Sequence, residues 1–298
     1  MVSKNPIEFQ GVDNNTLRGD SFGPSDGPVV LLLHGGGQTR HAWNNTGSRL
    51  AENGWHAITI DQRGHGDSDW VENGHYAHED FATDVIAVCK QIQERFGQKP
   101  ISVGASLGGM ASLAAEGRQP GETLAALVLV DITPRVERSG VERIRDFMVD
   151  KMEEGFASLD EAAEAIQQYL PNRKRKKNLE SLGKNLRLHD DGRYRWHWDP
   201  RFWEGTRNVA SAHEDLAQFL ADCARSLKIP TLLVRGRQSE LVSEEHVEEF
   251  LTLVPHAQYA DSSEAGHMVA GDRNDVFAEA VIGFLRQLEN APHRAAAQ

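Results

Sequence analysis

The sequence predicts an α/β fold, a mostly parallel central sheet flanked by helices, with a helical segment inserted late in the chain. Three observations carry this reading. Short, continuously apolar runs recur at residues 29–33, 56–60, 101–103, 124–130 and 231–234, as strands covered on both faces require. Amphipathic helical patterns lie between and after them, so the chain alternates strand with helix. From Pro134 to Ser226 that alternation stops and the chain turns charged and helical in pattern.

Taken in order, residues 7–22 carry two short strands, read as an antiparallel pair leading into the sheet. The run 29–33 (VVLLL) follows, then a helix over 42–53 stopped by Gly54 and a strand over 56–60. A longer helix spans 79–96 and ends at Gly97. Strand 101–103, helix 107–118 and strand 124–130 complete the first part of the domain. In the insertion the periodicity predicts helices over 141–154, 158–170 and 209–224, with no convincing strand. Strand 231–234, a weaker strand over 257–259 and a helix over 275–288 close the chain. The expected organisation is therefore a core of residues 1–133 and 227–291, a helical cap or lid of residues 134–226, and a disordered tail of residues 292–298.

Composition narrows the function. The 298 residues, 39% of them hydrophobic, suffice for one large α/β domain. A formal net charge of −12 makes nucleic acid and anionic membrane surfaces poor partners. The basic run Arg173 to Lys177 is read as a solvated face within that acidic background. No apolar stretch reaches membrane-spanning length and no secretory signal follows Met1, so a cytoplasmic location is expected. Cys89 and Cys223, far apart, suggest buried thiols and neither a disulfide framework nor a zinc site. His75 and His78 lack a third ligand at useful spacing, so no metal is expected.

The chemistry centres on Gly104-Ala105-Ser106-Leu107-Gly108, between an apolar strand and a run of small helix-forming residues. A strand, a sharp turn and a helix in that order push a serine hydroxyl clear of the sheet edge. A serine nucleophile needs a base, an acid to orient the base, and N–H donors for the oxyanion. His267, in Ala265-Gly266-His267 after the last strand, is the expected base. His34-Gly35-Gly36-Gly37-Gln38, after the first long strand, offers free backbone N–H groups, and Gly36 with Leu107 are the expected oxyanion donors. A phosphate-binding loop is the competing reading of these glycines, but it lacks the Gly-Lys-Ser/Thr ending.

These stretches, together with Asp61-Gln62-Arg63-Gly64-His65-Gly66-Asp67-Ser68 and the strand ending at Asp131, resemble a serine member of the α/β-hydrolase fold superfamily. They occur in the family's order, serine first and histidine last, over roughly residues 7 to 288. The resemblance implies a lid inserted after the strand that ends at Asp131. It also implies that Arg63, Gly64 and His65 form a structural turn beside the site, with His34 supporting the oxyanion loop. The family's acid follows the strand after the lid; here that strand leads to Glu240, the expected acid, with Asp131 as the alternative and Glu244 or Glu245 behind them.

Such a site implies acyl transfer to water without a cofactor. The expected substrate is a small or medium, partly apolar carboxylic ester, taken by a monomer or homodimer. Trp196, His197, Trp198 and Trp203 in the insertion, with Trp43 beyond the oxyanion loop, are the expected substrate contacts, though the same rings could instead pack the insertion onto the body. Two other enzymatic readings remain, a lactonase or perhydrolase and a carbon-carbon hydrolase of a ring-cleavage diketone acid. The last needs a basic group for the substrate carboxylate, and Arg40, Arg135 and Arg237 are its candidates. A ligand-binding protein with little turnover is the alternative from another class.

Overall fold

The architecture is described from a computed structural model, over residues 3–169, 180–210, 213–266 and 274–295. Ten strands are present among these residues: β1 (Lys4–Gln10), β2 (Thr16–Phe22), β3 (Val29–Leu33), β4 (His56–Ile60), β5 (Ile101–Ala105), β6 (Ala126–Val130), β7 (Leu186–Leu188), β8 (Tyr194–Trp196), β9 (Thr231–Gln238) and β10 (Gln258–Gly266). The helices are α1 (Asn44–Glu52), α2 (His78–Phe96), α3 (Leu107–Arg118), α4 (Arg138–Val149), α5 (Leu159–Tyr169), α6 (Glu180–Gly183), α7 (Arg201–Glu204), α8 (His213–Ser226), α9 (Glu244–Leu253) and α10 (Ala278–Ala295). Eight strands form one sheet in the order β1-β2-β4-β3-β5-β6-β9-β10. β1 and β2 pair antiparallel, β2 meets β4 antiparallel, and every later pairing is parallel.

Every residue of β3, β4, β5 and β6 is buried. Successive side chains point to opposite faces, so the sheet feeds two apolar layers. Leu31 and Leu33 join Phe81, Val85, Val88 and Ile92 of α2 on one face, while Val30 and Leu32 join Leu50 of α1 and Val281 and Leu285 of α10 on the other. The parallel strands end together, and the loops leaving β3, β5, β6 and β9 collect at that edge.

Several elements differ from the sequence expectation. The weak strand at 257–259 is the start of the nine-residue β10. β10 pairs with β9 alone at the sheet edge, so its polar sequence need not be apolar on both sides. The insertion between β6 and β9 contains an antiparallel ribbon, β7 with β8, whose three-residue strands are too short to show a period. The first of its helices stops at Val149, where Asp150 leaves helical geometry at ψ 132° and Lys151 takes φ 60°. α8 begins at His213, beyond a turn held by the Asn208 side chain on the carbonyls of Trp203 and Gly205. The tail expected to be disordered continues α10 through Ala295. The basic run Arg173 to Lys177 lies outside the described residues.

Candidate active site

β5 runs straight into α3 through Ser106, which takes φ 46° and ψ −113°. A non-glycine residue at positive φ is strained, and the neighbouring glycines show what holds it there. A Cβ on Gly104 would sit 2.4 Å from the Gly108 carbonyl oxygen, and one on Gly108 would sit 2.6 Å from Leu33 Cβ. Only glycines let strand, turn and helix approach this closely. The Ser106 N–H donates to Val130 O at 3.1 Å, tying the elbow to the end of β6. Ser106 is half-buried, and its Cβ lies 3.4 Å from where a Cβ on Gly35 would be.

The glycine loop after β3 is therefore beside the serine. Its N–H groups divide into two kinds: Gly35 donates to Gln38 Oε1 at 2.9 Å and Gly37 to His65 Nε2 at 3.1 Å. Among the described residues no acceptor exists for the N–H of Gly36 or for that of Leu107 at the first turn of α3. The α3 dipole lies behind the Leu107 N–H. Gln38 is itself braced by a reciprocal amide pair with the buried Asn274, at 3.3 Å in both directions.

Three buried histidines hold this loop. His34 Nε2 accepts from the Gln62 N–H at 3.0 Å, and its ring lies 5.2 Å from that of His65. His65 accepts from Gly37 and faces the Arg63 carbonyl through Nδ1 at 3.0 Å. His197, from the insertion, accepts the Gly66 N–H at 2.6 Å and approaches Gly37 O at 3.3 Å through its other nitrogen. Each ring accepts a backbone N–H, so each is neutral. Burial pushes His34 down to about 4 and His65 to about 3, and drives His197 well below the usual range, with the neighbouring rings adding to the latter two. The turn over 61–68 is anchored in the same way. Arg63, fully buried, pairs with Asp84 and Asp13, and Arg40 pairs with Asp20, Asp61 and Asp67.

Of the acid candidates, Asp131 ends β6 at φ 53°, next to the elbow. Its Oδ1 accepts the Gly236 N–H at 3.0 Å and its Oδ2 the Ser239 hydroxyl at 2.9 Å, both from the end of β9 and its following loop. Glu240 is differently engaged: Oε1 accepts the Tyr169 hydroxyl at 2.6 Å and Oε2 pairs with Arg143 at 2.8 Å, both partners in the insertion. Glu244 and Glu245 are exposed on α9. His267 lies outside the described residues; β10, whose last residue precedes it, ends with Gly266 opposite Gln238.

The expected substrate contacts need revision. Trp43 is fully buried in the layer of α1 and α10, its indole N–H on Leu33 O at 3.0 Å, so it is a core residue. Both His197 nitrogens face backbone groups, so it positions a loop rather than meeting a ligand. Trp196 is buried in a stack, 4.9 Å from Trp198 and 5.2 Å from Phe156. Trp198 does reach the glycine loop: a Cβ on Gly37 would lie 3.1 Å from its ring and 2.7 Å from Met148 Cε. Trp203 packs at 5.2 Å on Phe202, and it is Phe202 that covers Gly36, at 3.5 Å from a Cβ there. Phe202 stands in the aromatic cluster of the insertion, next to the expected Trp203, whereas Met148 was missed because a lone methionine in a helical segment reads as core. The three candidate carboxylate binders are all paired already, Arg40 as above, Arg135 with Glu249 and Arg237 with Asp261.

Comparison with known proteins identifies the fold family. A sequence model of the α/β hydrolase fold matches residues 28–273. An esterase of Mycobacterium tuberculosis is 28% identical over 267 residues, covering 87% of this chain and 83% of the relative. A 3-hydroxybutyrate-oligomer hydrolase of Cupriavidus necator is 26% identical, covering 82% and 84%. In structure, an α/β hydrolase from Novosphingobium aromaticivorans superposes with a TM-score of 0.79 at 23% identity, over 96% of this chain and 99% of that one.

Proposed function

The chain belongs to the α/β hydrolase fold family, and from that premise we propose that it is a serine esterase acting on a small or medium, partly apolar carboxylic ester. The observation that carries the reading is Ser106 on its strained elbow, with Gly35 against its Cβ and the N–H groups of Gly36 and Leu107 unclaimed among the described residues. In this reading His267 takes the Ser106 proton as the hydroxyl attacks the ester carbonyl. Gly36 and Leu107 hold the oxyanion, each worth about 3 kcal/mol of barrier. His267 then protonates the leaving alcohol and activates the water that frees the enzyme. The esterase relative in Mycobacterium tuberculosis supports the substrate class.

Asp131, not Glu240, is the acid in this mechanism. A triad carboxylate must offer an oxygen at the strand edge beside the serine, and Asp131 is one strand from Ser106 with backbone and hydroxyl donors fixing its orientation. Glu240 is instead held by Tyr169 and Arg143 of the insertion, away from donors at the strand edge. The insertion acts as a cap: Phe202, Trp198 and Met148 line its side of the glycine loop and give the acyl site an apolar roof. The carbon-carbon hydrolase is disfavoured because Arg40, Arg135 and Arg237 each already face a carboxylate of this chain.

Turnover of p-nitrophenyl esters from acetate to octanoate, wild type beside Ser106→Ala, tests the proposal. Serine-dependent release that peaks at short or medium acyl length is expected. No serine-dependent release at any length refutes the esterase and favours a ligand-binding role.

A further inference from the structure

We infer that the seating of the insertion is transmitted to Asp131 through a single hydroxyl, making Ser239 a positioning residue and Glu240 the handle by which the insertion sets it. The inference rests on Asp131 as the triad acid. A serine hydroxyl has one proton and two lone pairs, and at Ser239 all are used. The proton goes to Asp131 Oδ2 at 2.9 Å, while the oxygen accepts the N–H groups of Leu241 and Val242, each at 3.1 Å. The hydroxyl therefore turns with residues 241 and 242 and has no independent freedom.

Residues 240 and 241 are gripped by the insertion. Glu240 holds Tyr169, the last residue of α5, and Arg143 of α4. Leu241 O accepts the Glu137 N–H at 2.9 Å at the start of α4. Gly140 packs so closely that a Cβ there would stand 2.2 Å from Glu240 O. Tyr169 and Arg143 are also bound to each other's surroundings, the tyrosine ring stacking at 4.5 Å on Phe147 with the guanidinium 5.3 Å above it. The far end of the loop is fixed to the core, Arg235 Nε donating to Val242 O at 2.7 Å. A shift of α4 and α5 therefore bears on the segment 239–241 and, through it, on the Ser239 to Asp131 bond. The other oxygen of Asp131 keeps its Gly236 donor, which belongs to the sheet and does not move with the insertion. Seating the insertion over a substrate sets the Ser239 donor on the acid; an unseated insertion loosens that donor.

Steady-state kinetics on the best p-nitrophenyl ester tests this with Ser239→Ala, Ser239→Thr, Tyr169→Phe, Arg143→Ala and the two doubles that combine Ser239→Ala with each insertion variant. Arg143 is more than half exposed and Tyr169→Phe removes one oxygen, so both keep the fold. Ser239→Ala lowers kcat about tenfold, the size expected for one hydrogen bond to a carboxylate. Ser239→Thr restores most of it. Tyr169→Phe and Arg143→Ala lower kcat about threefold with KM nearly unchanged, and in the Ser239→Ala background they add nothing. Full additivity in the doubles, or effects confined to KM and thermal stability, overturns the inference. Asp131→Asn measured alongside separates the two layers: if it retains turnover, the assignment of the acid has failed as well, and if it is inactive, only the coupling has.

Discussion

Acidification should weaken this protein by an amount its buried histidines set. His34, His65 and His197 are neutral in the folded chain, each accepting a backbone N–H that a proton would displace. In the unfolded chain each titrates near the ordinary histidine value of about 6.5. Above that value neither state binds the proton and the rings contribute no pH dependence. Below it the unfolded chain takes up protons that the native chain refuses, so stability falls as the pH falls. His34 does not accept a proton until about 4 and His65 until about 3. Between pH 6.5 and pH 5 each therefore costs about 1.6 kcal/mol, roughly 3 kcal/mol for the pair, and His197 adds a loss of the same sign. Against a typical domain stability of about 5–15 kcal/mol this is a large fraction. Urea unfolding at intervals across that range measures it, with His65→Asn as the comparison. Wild type should lose stability steeply with falling pH, and the variant's mean slope over this interval should be shallower by about 1.1 kcal/mol per pH unit. A wild-type stability flat over the interval, or an unchanged slope in His65→Asn, refutes the assignment of neutral rings.

Three further outcomes follow from the geometry. Asp131→Asn should reduce kcat by about 10⁴-fold, as loss of the acid misorients the base, while Glu240→Gln stays within about tenfold of wild type; steady-state kinetics separates the two. Gly37→Ala should cut kcat/KM by about 100-fold, since its φ of 75° strains any side chain and the added Cβ would press on the Trp198 ring at 3.1 Å, displacing the loop that presents Gly36. Trp43→Phe should cost about 1–3 kcal/mol in urea unfolding by leaving Leu33 O without its donor, with KM for every ester unchanged.

What the sequence made legible follows from how local the constraints are. The buried parallel strands announce themselves because both faces must be apolar, and the elbow at Ser106 because three glycines are needed within six residues to let strand and helix touch. The role of Glu240 was hidden because its partners, Tyr169 and Arg143, are remote in sequence and belong to a segment whose packing no period reveals. Trp43 was misread for a similar reason. Four residues past Thr39 a side chain can face the site or the opposite layer of the sheet, and only the short helical turn over Arg40–Trp43 decides in favour of the core. The supporting places of His34 and His65 came from the family resemblance, whereas His197 joins them from across the insertion.

The central claim is that Ser106 is an activated nucleophile. Incubation with a fluorophosphonate probe, followed by peptide mass spectrometry of wild type and Asp131→Asn, tests it most directly. The account predicts stoichiometric phosphonylation of Ser106 in the wild type and labelling slowed by orders of magnitude in Asp131→Asn. An unlabelled Ser106, or labelling on another serine, would contradict it.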